Sequence, residues 1–206
     1  SLFAQLWESI CKGGVLVWLS CLFMGLGLIL KGQVIKGIIY LLVEVAFVLF
    51  IVLFAGYYLG LLGSLGTVAE IIVGYEPELG LPIYAYEHNS FQILLFNVLI
   101  FGFIFFFVYL WMRSVVDCYK AKLRANAGKP PISFTSELKT YLNSNFHVTI
   151  LTLPTIGVLA FTVFPLITMI LLAFTNFDRA HLPPANLFTW NGFSIFKEIF
   201  NFGATG

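Results

Sequence analysis

The chain has 206 residues, of which 60% are hydrophobic, 17% aromatic and only 10% charged, with a formal net charge of +1. An average soluble domain carries about 45–50% apolar and about 25% charged residues, so so few charges could not cover the surface of a soluble fold this size. A disordered chain and an ordinary soluble enzyme are excluded, and the bilayer is the natural solvent.

The N-terminal residues Leu2, Phe3, Leu6, Trp7 and Ile10 recur at helical spacing, with Gln5, Glu8, Ser9 and Lys12 elsewhere on the wheel. That pattern fits a short helix in the membrane interface or the frayed start of the helix after it. No basic region followed by a small-residue cleavage site is present here, so no signal peptide is expected. Residues 13–30 are uncharged but contain Gly13, Gly14, Gly25 and Gly27. This stretch is marginal for a span. It reads either as a membrane-crossing helix or as a re-entrant or interfacial hairpin arm.

A spanning helix needs about 20 mostly apolar residues, and three segments satisfy this clearly. Residues 37–58 carry only Glu44 as a charge, and residues 91–112 and 148–174 carry none. Pro154 and Pro165 interrupt the last of them. The predicted fold class is therefore all-α, a polytopic membrane protein with three firm transmembrane helices plus the marginal N-terminal one. Between these spans, Ser114–Ala127 extends the second as a polar stalk, Gly128-Lys129-Pro130-Pro131 ends it, and 136–143 forms a short helix before the third.

The loops differ in charge. Residues 59–90 hold Glu70, Glu76, Glu78 and Glu87 without any Lys or Arg. Residues 113–147 hold Arg113, Lys120, Lys122, Arg124, Lys129 and Lys139 against Asp117 and Glu137. Short basic loops stay cytoplasmic, which puts 113–147 inside, with Lys31 and Lys36, and 59–90 outside. The tail from Thr175, with Asp178, Arg179, Lys197 and Glu198, is then extracytoplasmic.

Two polar residues lie within the spans. A carboxylate at membrane depth costs about 2.5–3.5 kcal/mol on insertion scales, so Glu44 must face protein, water or a partner. It suits an ion-coupling group or, more simply, a structural anchor. Asn97 suits a hydrogen bond between helices. Gly56 and Gly60 have the GxxxG spacing that permits close helix approach. Phe91, Phe96, Phe101, Phe103, Phe105, Phe106 and Phe107 occupy most faces of their helix and read as lipid-facing bulk, with Tyr109 and Trp111 as an aromatic belt. Cys11, Cys21 and Cys118 have no CxxC spacing, and His88, His147 and His181 are scattered. HExxH, GxSxG and Walker lysine motifs are missing from the sequence, so no catalytic or metal-ligating residue is expected, nor nucleic-acid binding.

Near the end of the chain, Phe164-Pro165-Leu166 leads into a helix closing on Phe174-Thr175-Asn176-Phe177, and Thr189-Trp190-Asn191-Gly192-Phe193-Ser194-Ile195-Phe196 follows. These runs resemble the start of the core in binding-protein-dependent sugar ABC permeases, above all the larger subunit of maltose/maltodextrin importers. Met24-Gly25-Leu26-Gly27 and Lys31-Gly32-Gln33-Val34-Ile35-Lys36-Gly37 resemble the N-terminal region of the Gram-positive members, as does the short link from Asn176 to Trp190. The resemblance implies a transport subunit rather than an enzyme. It implies a second permease subunit, two cytoplasmic ATPase subunits and an extracytoplasmic sugar-binding protein as partners, and no cofactor within this chain. It marks Phe164, Pro165, Leu166, Thr175, Asn176, Trp190, Gly192 and Phe193 as motif residues. It divides the chain into N-terminal membrane helices with a basic cytoplasmic segment (1–147) and the first core helix with its outer segment (148–206). The family's EAA coupling loop and the helices around it would lie beyond Gly206, which implies the N-terminal part of a permease. Without the resemblance, the same helices would also suit a non-transporting membrane scaffold.

Overall fold

The structure, a computed structural model, describes residues 1–77, 79–144 and 146–197. Two of the charges used above, Glu78 and Glu198, lie outside the described residues. Two compact units emerge, one of Ser1–Leu53 with Gly102–Thr155 and one of Phe54–Phe101 with Ile156–Gly206.

Three helices are long and apolar enough to cross a membrane: α4 (Val34–Leu61), α5 (Ser90–Asn126) and α7 (Phe146–Leu172). At 1.5 Å per residue they measure about 42, 55 and 40 Å, against roughly 30 Å of hydrocarbon. The three expected spans are thus present, and α5 carries its polar stalk as a continuous helix. Gly128, at φ +69°, ends α5. It turns the chain so that the Lys129 N–H reaches back to the Arg124 carbonyl at 3.1 Å, as helix C-terminal glycines do. Most apolar side chains of α4 and α7 are exposed, Leu53 at 77% and Phe161 at 85% among them. Only hydrocarbon or further helices make such surfaces tolerable.

In the first unit, residues 13–30 do not form one helix. They fold as α2 (Val15–Leu22) and α3 (Leu26–Leu30), after α1 (Leu2–Lys12). Eight and five residues span about 12 and 8 Å, too little to cross hydrocarbon, so the choice left open by the sequence resolves to a hairpin. The break is local chemistry. Gly25 sits at φ +82°, where a side chain would be strained. A Cβ there would strike the Gly37 carbonyl, and one on Gly27 would strike Cys118 Sγ and Ser20 Oγ. Gly25 is therefore a place where two backbones touch, and Gly27 one where side chains of α2 and α5 close on the backbone.

The core of this unit consists of Val17, Leu28, Val115, Cys118, Tyr119 and Ala121, with Leu6, Ile10, Cys21, Tyr40 and Trp111 packed against it. On α1, Leu6 and Ile10 face this core, but Phe3 and Trp7 are 71% and 73% exposed. Ser9 is buried instead, and its hydroxyl donates to the Gln5 carbonyl at 2.6 Å. A small residue is needed where α2 folds back on α1. Lys122 Nζ donates to the Gly13 carbonyl at 2.7 Å and so satisfies an orphaned acceptor at the end of α1. The polar stalk of α5 is followed by α6 (Phe134–Asn143).

The second unit contains an element the sequence reading did not anticipate. Strands β1 (Glu70–Tyr75) and β2 (Pro82–Tyr86) pair antiparallel, Glu70 opposite Tyr86, with an irregularity between Ile72 and Gly74. The fold class stays helical, with this hairpin added. The core here is Leu65, Ile93, Leu94 and Phe188, flanked by Tyr58, Leu61, Leu171 and Leu172. His88 serves this core's edge, its Nδ1 accepting from the N–H groups of Thr67 and Val68 at 3.3 and 3.2 Å.

A π-helical turn runs through Leu159–Val163 of α7. Pro165 has no N–H to donate, and the ladder shifts register just before it, the Phe164 N–H bonding to Leu159 O, five residues back. That is a usual response to a proline in a helix. A second such turn, Ile51–Ala55, lies in α4, and no proline accounts for it.

Candidate functional site

The residues singled out by the sequence separate into a clasp and two polar residues of the long helices. The clasp lies in the second unit, where α7 ends. The Thr175 hydroxyl donates to the Leu172 carbonyl at 2.7 Å, closing the helix. Thr175 then pairs with Trp190 as an isolated antiparallel bridge. The Asn176 N–H donates to Thr189 O at 3.1 Å, and Asn176 Oδ1 accepts from the Thr189 N–H at 2.6 Å. The N–H groups of Asn191 and Gly192 both donate to the Phe174 carbonyl at 2.9 Å. Gly192 makes this convergence possible by adopting φ +58°.

Side chains complete the clasp. The Phe193 ring meets Phe174 edge-on, with centroids 5.3 Å apart, and Phe177 meets Phe188 in the same way at 5.5 Å. Trp190 Nε1 donates to the Leu62 carbonyl at 2.7 Å, which ties the clasp to the end of α4. The Phe188 N–H donates to Ser90 Oγ at 3.2 Å, at the first residue of α5. The structure thus brings Thr175, Asn176, Trp190, Gly192 and Phe193 together. Phe164, Pro165 and Leu166 are elsewhere, at the register shift of α7, where Thr168 Oγ1 donates to the Phe164 carbonyl at 2.9 Å.

Glu44 and Asn97 are both hydrogen-bonded within their own units. The Glu44 carboxylate accepts from the Met24 N–H at 2.9 Å, and Ser114 Oγ accepts from the Gly25 N–H at 3.1 Å. Between them they satisfy two amides freed by the break before α3. Asn97, 1% exposed, donates from Nδ2 to the carbonyls of Tyr58 and Ile93, both at 2.9 Å. Its Oδ1 has no hydrogen-bond partner among the described residues.

Several contacts were missed by the sequence reading. Lys36 Nζ lies 2.9 Å from both Asp117 Oδ2 and Glu137 Oε2. Tyr40 OH donates to the same Asp117 oxygen at 3.2 Å. The long separations of these residues in sequence give no spacing signal. Trp111, expected in an aromatic belt, points into the first core and donates from Nε1 to the Cys21 carbonyl at 2.9 Å. The phenylalanines of α5 are not all lipid-facing bulk. Phe107 stacks on Phe47 with centroids 3.7 Å apart, Phe103 meets Phe50 at 5.5 Å, and Phe96 meets both Phe54 and Tyr58. Phe105 and Phe106 do face outward, at 74% and 59% exposure. Gly60 has nothing within 4 Å of the position a Cβ would take, so it mediates no close approach among the described residues.

No family model and no solved structure matches the chain. Curated relatives do. The maltodextrin transport system permease protein MalC of Streptococcus pneumoniae is 28% identical over 179 residues, 86% of this chain and 37% of that protein. The galactooligosaccharides transport system permease protein GanP of Bacillus subtilis is 28% identical over 177 residues, 85% of this chain and 38% of its own length. The maltodextrin transport system permease protein MdxF of the same organism is 26% identical over 182 residues. The chain spans less than two fifths of the length of these relatives. Along most of its own length, then, it is a multi-pass membrane polypeptide similar to the permease proteins of oligosaccharide transport systems.

Proposed function

We propose that the chain is the N-terminal portion of a membrane permease subunit in an ATP-driven importer for maltodextrin-like oligosaccharides. The observation carrying this reading is the similarity over 86% of the chain to a maltodextrin permease. The clasp supports it, because motif residues separated in sequence meet at one place. In this reading the subunit performs no chemistry. It pairs with a second permease subunit, two cytoplasmic ATPase subunits and an extracytoplasmic sugar-binding protein.

Residues 1–147 then form peripheral helices and a basic cytoplasmic segment, and 148–206 begin the permease core. Residues 59–90 lie outside and 113–147 inside, following the charge asymmetry. The clasp holds the outer end of the first core helix, on the side from which the binding protein would approach. Glu44 and Asn97 act as intramembrane anchors rather than as ion-coupling groups.

Reconstitution of the full-length subunit with its neighbouring permease and ATPase tests this directly. ATP-dependent uptake of radiolabelled maltohexaose, dependent on the sugar-binding protein, is expected. Failure of any ATPase subunit to co-purify, together with no uptake of any oligosaccharide, would sink the reading.

A further inference from the structure

A cleft of about 320 Å³ opens at the N-terminus of α4 in the first unit, lined by Gln33, Val34, Ile35, Lys36, Ser133 and Glu137 among others. No side chain caps this 28-residue helix. The N–H groups of Ile35 and Lys36, whose helical acceptors would be Lys31 and Gly32, have no backbone partner among the described residues. An uncapped N-terminus of this kind attracts anions through its free N–H groups and its dipole.

A second observation points the same way. Gln33 is only 8% exposed, and its side-chain amide makes no hydrogen bond to the described residues, although it lines this cleft and two adjoining ones. The amide atoms themselves are not sealed from solvent, so the two donors on Nε2 are reachable from the cleft and available for a ligand. The adjoining wall adds Lys31, Arg124 and Lys129. Arg124 uses Nε on the Pro130 carbonyl at 2.8 Å and keeps its terminal N–H groups for other acceptors. The acids facing the region, Glu137 and Asp117, are both engaged by Lys36 at 2.9 Å. The apolar run of α4, with Glu44 its single charge, begins at Gly37, which places residues 31–36 toward the headgroups in a bilayer.

We propose that this cleft is a phosphate-binding site, taking the phosphodiester of an anionic lipid or a free phosphate. Gln33 Nε2 and the first N–H groups of α4 act as directional donors, and Lys31, Arg124 and Lys129 supply the compensating charge. This does not rest on the transport reading.

The test is native mass spectrometry of the purified full chain, titrated with phosphatidylglycerol, phosphatidylcholine or inorganic phosphate. Phosphatidylglycerol is expected to be retained and phosphatidylcholine to be lost. Gln33→Leu removes no charge and is expected to weaken retention about tenfold, as is Lys31→Gln. Lys139→Gln, outside the cleft, is expected to leave retention unchanged. Retention of phosphatidylglycerol that inorganic phosphate barely displaces assigns the site to lipid. Binding of inorganic phosphate alone assigns it to a soluble anion. The proposal is overturned if the folded wild type retains neither probe, or if Gln33→Leu and Lys31→Gln both bind like the wild type. It is equally overturned if Lys139→Gln weakens binding as much as Lys31→Gln, since a diffuse surface potential would then explain the retention. Circular dichroism and elution volume confirm folding, and Lys31→Gln carries the test if Gln33→Leu fails to fold.

Discussion

The Glu44 carboxylate accepts the Met24 backbone N–H at 2.9 Å, twenty residues back along the chain. It thereby joins a membrane-spanning helix to the break in the hairpin before it. A buried amide deprived of its acceptor costs about 1–3 kcal/mol. Glu44→Leu is therefore expected to destabilise the detergent-solubilised protein by about that much in thermal unfolding. Glu44→Gln keeps an acceptor oxygen and is expected to cost under about 1 kcal/mol. In the importer proposed above, Glu44→Gln should leave sugar uptake and its pH dependence unchanged. A lost or shifted pH dependence would instead identify Glu44 as an ion-coupling group.

Gly27 and Gly60 make opposite predictions. A Cβ on Gly27 would strike Cys118 Sγ and Ser20 Oγ, whereas one on Gly60 meets nothing within 4 Å. Overpacking of this kind costs about 1–3 kcal/mol, so Gly27→Ala is expected to lower the unfolding temperature and to raise the reactivity of Cys118 toward thiol reagents. Gly60→Ala is expected to be neutral or to stabilise by up to about 1 kcal/mol, because alanine is the better helix former. Equal effects of the two substitutions would contradict the close packing of α3 on α5.

Trp190 tests the clasp. Its indole N–H donates to the Leu62 carbonyl at 2.7 Å, and its backbone pairs with Thr175. Trp190→Phe keeps the ring and loses one hydrogen bond, for an expected loss of about 0.5–1.5 kcal/mol. The loss should be local, so hydrogen exchange at the amides of Asn191 and Gly192 should accelerate while exchange in 102–126 stays unchanged. Gly192→Ala places a side chain at φ +58° and is expected to cost about 1 kcal/mol or more through backbone strain.

The parts of this protein legible in its sequence are those that hydrocarbon alone enforces. Long apolar runs fix α4, α5 and α7, because a helix satisfies its own backbone hydrogen bonds in lipid. Gly128 and the prolines after it mark where α5 ends. Pairings across long separations were not legible. Nothing in the spacing of Lys36, Asp117 and Glu137 announces that they meet, and an apolar count assigns Ser9 to the wrong face of α1. The hairpin 70–86 was hidden by its composition, since Ile71, Ile72, Val73 and Tyr84 do not alternate with polar residues and remain exposed. At the clasp, resemblance identifies the residues, but only the fold shows that Thr175 and Trp190 touch while Phe164 stands apart.

Lys36 holds two acids at once, and this predicts non-additive behaviour. Lys36→Met leaves Asp117 and Glu137 without their cation in a partly buried site. It is expected to cost about 1–3 kcal/mol, less than a fully buried pair because water still screens the cluster. In the Lys36→Met background, Glu137→Gln should cost little or recover some stability, giving a coupling energy of about 1 kcal/mol in a double-mutant cycle. Strictly additive losses in thermal unfolding would mean that the ion pair contributes nothing.

The sidedness is checked by single cysteines at positions 70 and 125. Native cysteines interfere unequally. Cys11 is exposed and must be replaced, Cys118 is buried, and burial pushes the Cys21 thiol upward so that less reactive thiolate forms. In a Cys11→Ser background, Glu70→Cys should react with a membrane-impermeant maleimide on intact cells. Ala125→Cys should react only after permeabilisation, because it lies among the bases that the positive-inside rule retains in the cytoplasm. Labelling of both positions from one side would break the alternation of α4 and α5 across the bilayer. It would also place the basic cleft at Gln33 and the acidic loop of 59–90 in the same compartment, leaving the charge asymmetry of the chain without a topological cause.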